Sequence, residues 1–129
     1  MQVYSDVFVH PETGDLLGYE LAIKRRGDSG ADALLYVYEG GEAGDGIPLS
    51  GQISNGRLSL SGTWVERLTE HPSKKEIVEK HAVEIHGSLD LTVFRGKLAI
   101  GGMTDQEQIR LNRVKRIWNC GNWNPHPPG

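Results

Sequence analysis

The sequence predicts an all-β fold: an antiparallel meander of about eight or nine strands, closed or nearly closed into a barrel, with at most one short helix. Three observations predict it. Short apolar runs alternate with polar residues at a period of two. Glycines, 17 of 129 residues, fall between those runs rather than in one tract, which marks frequent turns and bends. An Asn-Gly pair, Asn55-Gly56, separates two of the runs, and such a pair suits a two-residue hairpin loop with positive φ at both positions.

Each element follows in order. Residues 3–9 alternate loosely as a first strand. His10-Pro11-Glu12-Thr13-Gly14-Asp15 is a turn by composition. Tyr19, Leu21 and Ile23 alternate with Glu20, Ala22 and Lys24. Gly27–Asp32 reads as a loop, Leu34–Tyr38 as a strand rich in β-favouring residues, and Glu39–Gly46 as an acidic glycine loop. Strands at Pro48–Ile53, Leu58–Leu68, Val83–Phe94, Lys97–Ile100 and Gln108–Val114 complete the meander.

Residues 53–62 and 93–102 also resemble one another. Gly56, Leu58 and Gly62 recur as Gly96, Leu98 and Gly102. The pattern predicts a second hairpin loop at Arg95-Gly96, and bulges at Gly62 and Gly102. Helix signals compete in two places. Ser73 with Glu76 has capping-box spacing with Gly87 downstream, and Thr104 with Glu107 repeats it. Val83 and Ile85 alternating with Glu84 and His86 favour strand in the first, as does Gln108-Ile109-Arg110-Leu111 in the second. A helical turn, if formed, would occupy Ser73–Lys80. The alternation places Tyr19, Leu21, Ile23, Leu58, Leu60, Trp64, Val83, Ile85, Leu91, Leu98, Ile100 and Leu111 in the core.

Size and composition bound the rest. The length suits one domain, here 1–123, with an extended Pro-rich tail at 124–129. No apolar run approaches the ~20 residues of a spanning helix, so membrane insertion is not expected. A net charge of −3 argues against nucleic acid as a partner. The single cysteine, Cys120, excludes an internal disulfide and a multi-cysteine zinc site. Residues 1–10 carry neither a basic start nor an apolar run, so the chain as given reads as cytoplasmic; export with a signal removed is the alternative.

Gly62-Thr63-Trp64 on a barrel strand resembles the Gly-x-Trp element of the calycin group, the lipocalins and avidin-like proteins. In that group a last-strand arginine packs on the tryptophan and seals the barrel's closed end. Arg113, in Leu111-Asn112-Arg113-Val114, resembles that arginine. The likeness covers two short elements, and here Gly-x-Trp lies mid-chain rather than on the first strand. It implies a stacked Trp64–Arg113 contact.

No motif for chemistry has comparable strength. His10 and His71 precede prolines, His126 lies in the tail, and His81 and His86 point to opposite faces of a regular strand. No metal ligands share a recognisable spacing, and no cofactor is expected. Glu84, His86, Ser88 and Asp90 read as one solvated strand face. The acidic loop Glu39–Gly46 lacks calcium-loop ligand order. Arg110, Arg113, Lys115 and Arg116, with Trp118 and Trp123, form a small basic and aromatic cluster. Cys120 has no evident base. These readings converge on a non-enzymatic β-barrel binding domain with no catalytic residues. It would take a small apolar ligand inside or a protein at its loops, with Trp64, Arg113 and Tyr19 as ligand-binding candidates. The alternatives are an inhibitor-like or immunity-like protein pressing its acidic loop onto an enzyme, or an enzyme using a carboxylate–histidine pair in the barrel mouth.

Overall fold

The structure, a computed structural model, describes residues 1–40 and 44–115. Nine strands follow one another: β1 (Gln2–Ser5), β2 (Phe8–Val9), β3 (Leu16–Arg26), β4 (Gly30–Glu39), β5 (Ile47–Ser54), β6 (Arg57–Glu70), β7 (Lys75–Leu89), β8 (Val93–Ile100) and β9 (Thr104–Val114). All pairings are antiparallel, and consecutive strands from β2 to β9 are neighbours. The sheet closes because β1 pairs with both β9 and β3, so Tyr4 lies between Arg113 and Leu21. The result is a closed eight-stranded barrel with one extra short strand, β2, beside β3. β1 covers the edges of β3 and β9 over the residues it pairs with, the way closure deals with edge strands.

Period-two alternation sends one face of every strand inward. Tyr4, Leu21, Leu35, Leu49, Leu58, Leu60, Ile85, Phe94, Leu98 and Leu111 meet in one buried cluster fed by all eight wall strands. The expected core holds at most positions. Tyr19 and Trp64 are only half-buried and pack on the edge of the cluster. Leu91 is the exception at 72% exposed. It belongs to a turn, because the single strand expected over Val83–Phe94 is broken at residues 90–92.

That break also corrects the second hairpin. Asn55-Gly56 is a two-residue loop with φ of 53° and 73°, as expected. Arg95-Gly96 is not a loop; it lies inside β8, where Gly96 pairs with Gly87 on one side and Ile109 on the other. The turn forms at Asp90 instead, whose Oδ1 accepts hydrogen bonds from the Thr92 and Val93 amides at 2.7 and 2.9 Å. An aspartate that caps its own turn outcompetes an arginine that would need positive φ. Gly96 and Gly87 serve close packing. A Cβ on Gly96 would meet the Phe94 ring at 2.6 Å and the His86 carbonyl at 2.3 Å. Gly62 is not a bulge, since β6 runs through it in register with both neighbours. Gly102 sits at φ 78° in the β8–β9 turn, and the register shift lies just before it, between Leu98 and Ile100.

Among the described residues there is no helix, so neither Ser73–Lys80 nor 104–115 is helical. The capping-box spacing is overridden by fourteen cross-strand partners between β6 and β7, from Arg57–Ser88 to Glu70–Lys75. Among the described residues no helix is long and apolar enough to cross a membrane. Beyond Gly62 and Val83, where β5 and β8 still pair, β6 and β7 continue alone as a two-stranded arm. It carries exposed Val65, Leu68 and Val78.

Candidate functional site

The barrel's two ends differ. At one end lie the turns at 27–29, 55–56 and 90–92. Here the Tyr4 hydroxyl donates to the Asp90 carbonyl at 2.7 Å. The Arg113 guanidinium sits over the Tyr4 ring, 5.8 Å from its centroid, and Nη1 reaches the Leu91 carbonyl at 3.4 Å. Trp64 lies at the other end, opposite His81 on β7. His81 is eight residues from Leu89, ~26 Å along a strand at ~3.3 Å per residue. The expected Trp64–Arg113 stack is therefore not formed. The last-strand arginine does cover an aromatic ring, but the ring is that of Tyr4 on the first strand.

The Trp64 end is open and acidic. Trp64 packs its ring against His81, centroids 5.8 Å apart and tilted by 53°. Beside it, where β5 stops and the β6 arm continues, a cleft of about 340 Å³ is lined by Leu35, Val37, Ile47, Pro48, Trp64 and residues 44–46. Val37 also lines a second cleft with Tyr19, Asp6, Gly18 and Glu107, so the two flank one mouth. Tyr19 donates its hydroxyl to Glu107 Oε2 at 2.8 Å. Burial first, then the hydrogen bond and charge of Glu107, push the Tyr19 phenol up to about 12. Asp6 accepts the Tyr19 amide at 2.7 Å, and burial raises its carboxyl above the ordinary value.

The base of the arm brings Glu66, Glu79 and His81 together. Residues two apart on one strand share a face, which puts Glu79 beside His81 and Glu66 beside Trp64. The β6–β7 register then sets Glu66 opposite Glu79. His81 Nδ1 lies 2.9 Å from the Gly101 carbonyl oxygen. Nε2 is 2.9 Å from Glu66 Oε1 and 3.6 Å from Glu79 Oε2. That nitrogen is buried, and the Glu66 oxygen lies off its hydrogen-bonding direction. In an acid–base relay, a carboxylate orients one ring nitrogen and leaves the other free for a reactant. Here a carbonyl holds Nδ1 while both carboxylates crowd Nε2.

The sequence missed this trio. Glu79-x-His81 on a strand was a visible signal, but pairing it with Glu66 requires the turn at 71–74, which fixes the register. The other candidates disperse. Glu84, His86 and Ser88 lie on the exposed face of β7, as expected. Arg110 and Arg113 are three apart on β9 and face opposite sides, so they form no single patch. Arg116, Trp118, Cys120, Trp123, His126, the tail and Glu42 of the acidic loop lie outside the described residues.

Fold and site together define a closed antiparallel β-barrel, sealed at one end and open at an acidic, tryptophan-bearing mouth. Comparison with protein-family models, with curated proteins and with solved structures gives no significant match.

Proposed function

We propose that this is a non-enzymatic binding domain of calycin-like architecture, whose working end is the Trp64 mouth. Its ligand is small, with a flat apolar body that lies against the indole. The observation that carries the reading is Trp64 itself. It is a large ring on the inward face, left half-buried beside a cleft of about 340 Å³. That size is within the range of small-ligand sites, and Leu35, Val37, Ile47, Pro48 and Trp64 give the cleft an apolar wall beside Asp45 and Thr63. The central ring of Leu21, Leu58, Leu98 and Leu111 is fully buried in one cluster and lines neither mouth cleft. Binding is therefore assigned to the mouth rather than to the barrel's centre. Of the earlier candidates, Trp64 and Tyr19 belong to this mouth and Arg113 to the seal.

The test is a fluorescence and thermal-shift screen of small aromatic and aliphatic compounds. Trp118→Phe and Trp123→Phe are introduced so that emission reports on Trp64. A hit should shift the Trp64 emission and raise the melting temperature, and Trp64→Ala should weaken it at least tenfold. Hits that bind Trp64→Ala unchanged would refute the reading. A protein partner is the second reading, favoured by the exposed Val65, Leu68 and Val78 on the projecting arm. It predicts that Val78→Lys abolishes partner binding and leaves small-ligand hits unaffected.

A further inference from the structure

We infer that Glu66, Glu79 and His81 form a binding site for one divalent transition-metal ion, with Zn²⁺ the best fit to the donor set. The site holds whether or not the Trp64 cleft takes an organic ligand, because it rests on different atoms.

The first argument is about protons. A carbonyl oxygen only accepts, so the 2.9 Å contact with the Gly101 carbonyl makes His81 Nδ1 a donor. In the neutral ring Nε2 is then a bare lone pair, 2.9 Å from a carboxylate oxygen. Two lone pairs at that distance repel unless a cation lies between them. An added proton on Nε2 would serve only along the ring's hydrogen-bonding direction, and the Glu66 oxygen is off it. A metal needs that offset. With bonds of ~2.0–2.1 Å and angles of ~90–110°, neighbouring donor atoms lie ~2.9–3.4 Å apart. The separations of 2.9 and 3.6 Å from Nε2 bracket that range, and all three donor atoms fall within 4.8 Å of one another.

The second argument is about charge. Glu66 and Glu79 are direct cross-strand partners, and like charges so placed destabilise a sheet. Among the described residues, their only ion-pair partner is His81; Arg67, the neighbouring cation, pairs with Glu76. The third is about orientation. Metal-bound histidines commonly donate the distal N–H to a backbone carbonyl, which fixes tautomer and ring plane. Gly101 does this from the β8–β9 turn, a different hairpin, so the ring is held before any ion arrives. The His81 side chain is 14% exposed and that of Glu79 50%, which leaves an entry path from solvent. Three protein donors leave at least one coordination position open toward the mouth.

The experiment uses the full chain, Zn²⁺ by calorimetry and Co²⁺ as a spectroscopic probe. One ion per chain should bind with micromolar or tighter affinity. His81→Gln and Glu66→Gln should each weaken binding at least tenfold, while His86→Gln, on the opposite face of the same strand, should not. Trp64 emission, read in the Trp118→Phe, Trp123→Phe background, should be quenched by Co²⁺, since its ring is 5.8 Å from that of His81. Absence of saturable binding overturns the inference, as does binding that survives His81→Gln. Should His81→Gln fail to fold, the Co²⁺ quench of Trp64 and its loss in Glu66→Gln decide the matter alone.

Discussion

The two ends of this barrel are built from the same strands, yet their polar groups are balanced differently. At the sealed end three polar groups find partners within the turns and the first and last strands. Tyr4 donates to the Asp90 carbonyl, Arg113 to that of Leu91, and Asp90 takes up the free amides of its own turn. At the open end acceptors accumulate. Glu66, Glu79 and Glu107 face the mouth with one tyrosine hydroxyl and one histidine among them.

The comparison can be broken by truncation. Tyr4 is fully buried, so Tyr4→Ala should cost ~3–5 kcal/mol, the range for large core aromatics. Trp64 is half-buried, and Trp64→Ala should cost only ~1–2 kcal/mol, by the area it removes from water. Urea unfolding of the two variants measures both; equal costs would mean that the open end is core and not a site. Gly56→Val probes the sealed end's turn. A β-branched residue at φ 73° is strained, and the loss should exceed ~1 kcal/mol.

Smaller effects sharpen the contrast. Arg113→Met keeps the apolar cover over Tyr4 but removes the cation, so the cost should be ~0.5–1 kcal/mol. The last is a pH effect. The Tyr19 phenol titrates at about 12 in the fold, against an ordinary value of 10.0. A group whose folded pKa is raised favours the fold while protonated. That contribution is whole below pH 10.0 and is lost as pH climbs from 10.0 to about 12. Burial also raises Tyr4 and Tyr36, so spectrophotometric titration at alkaline pH should show several late tyrosines, and Tyr19→Phe should remove one of them.

The sequence by itself determined the class of fold. Period-two alternation over Tyr19–Ile23, Leu58–Trp64 and Val83–Ile85 set which side chains point inward. Asn55-Gly56 set one turn by backbone sterics alone. These signals are local, so they can be read without a fold. The second turn could not be placed by likeness between segments. Asp90 won it by capping the amides that follow it, while Arg95-Gly96 was drawn into the wall by the close approach of Phe94 and Gly87 to Gly96. Arg113 could be recognised as an arginine that covers a ring, but which ring depended on β1 closing the barrel beside β9. The Glu66–Glu79–His81 trio was the least visible. Its members belong to two strands whose register is set by a turn at 71–74, and its orienting carbonyl comes from the β8–β9 turn. Spacing along a chain fixes the face a residue takes; only closure and register decide which residues meet there.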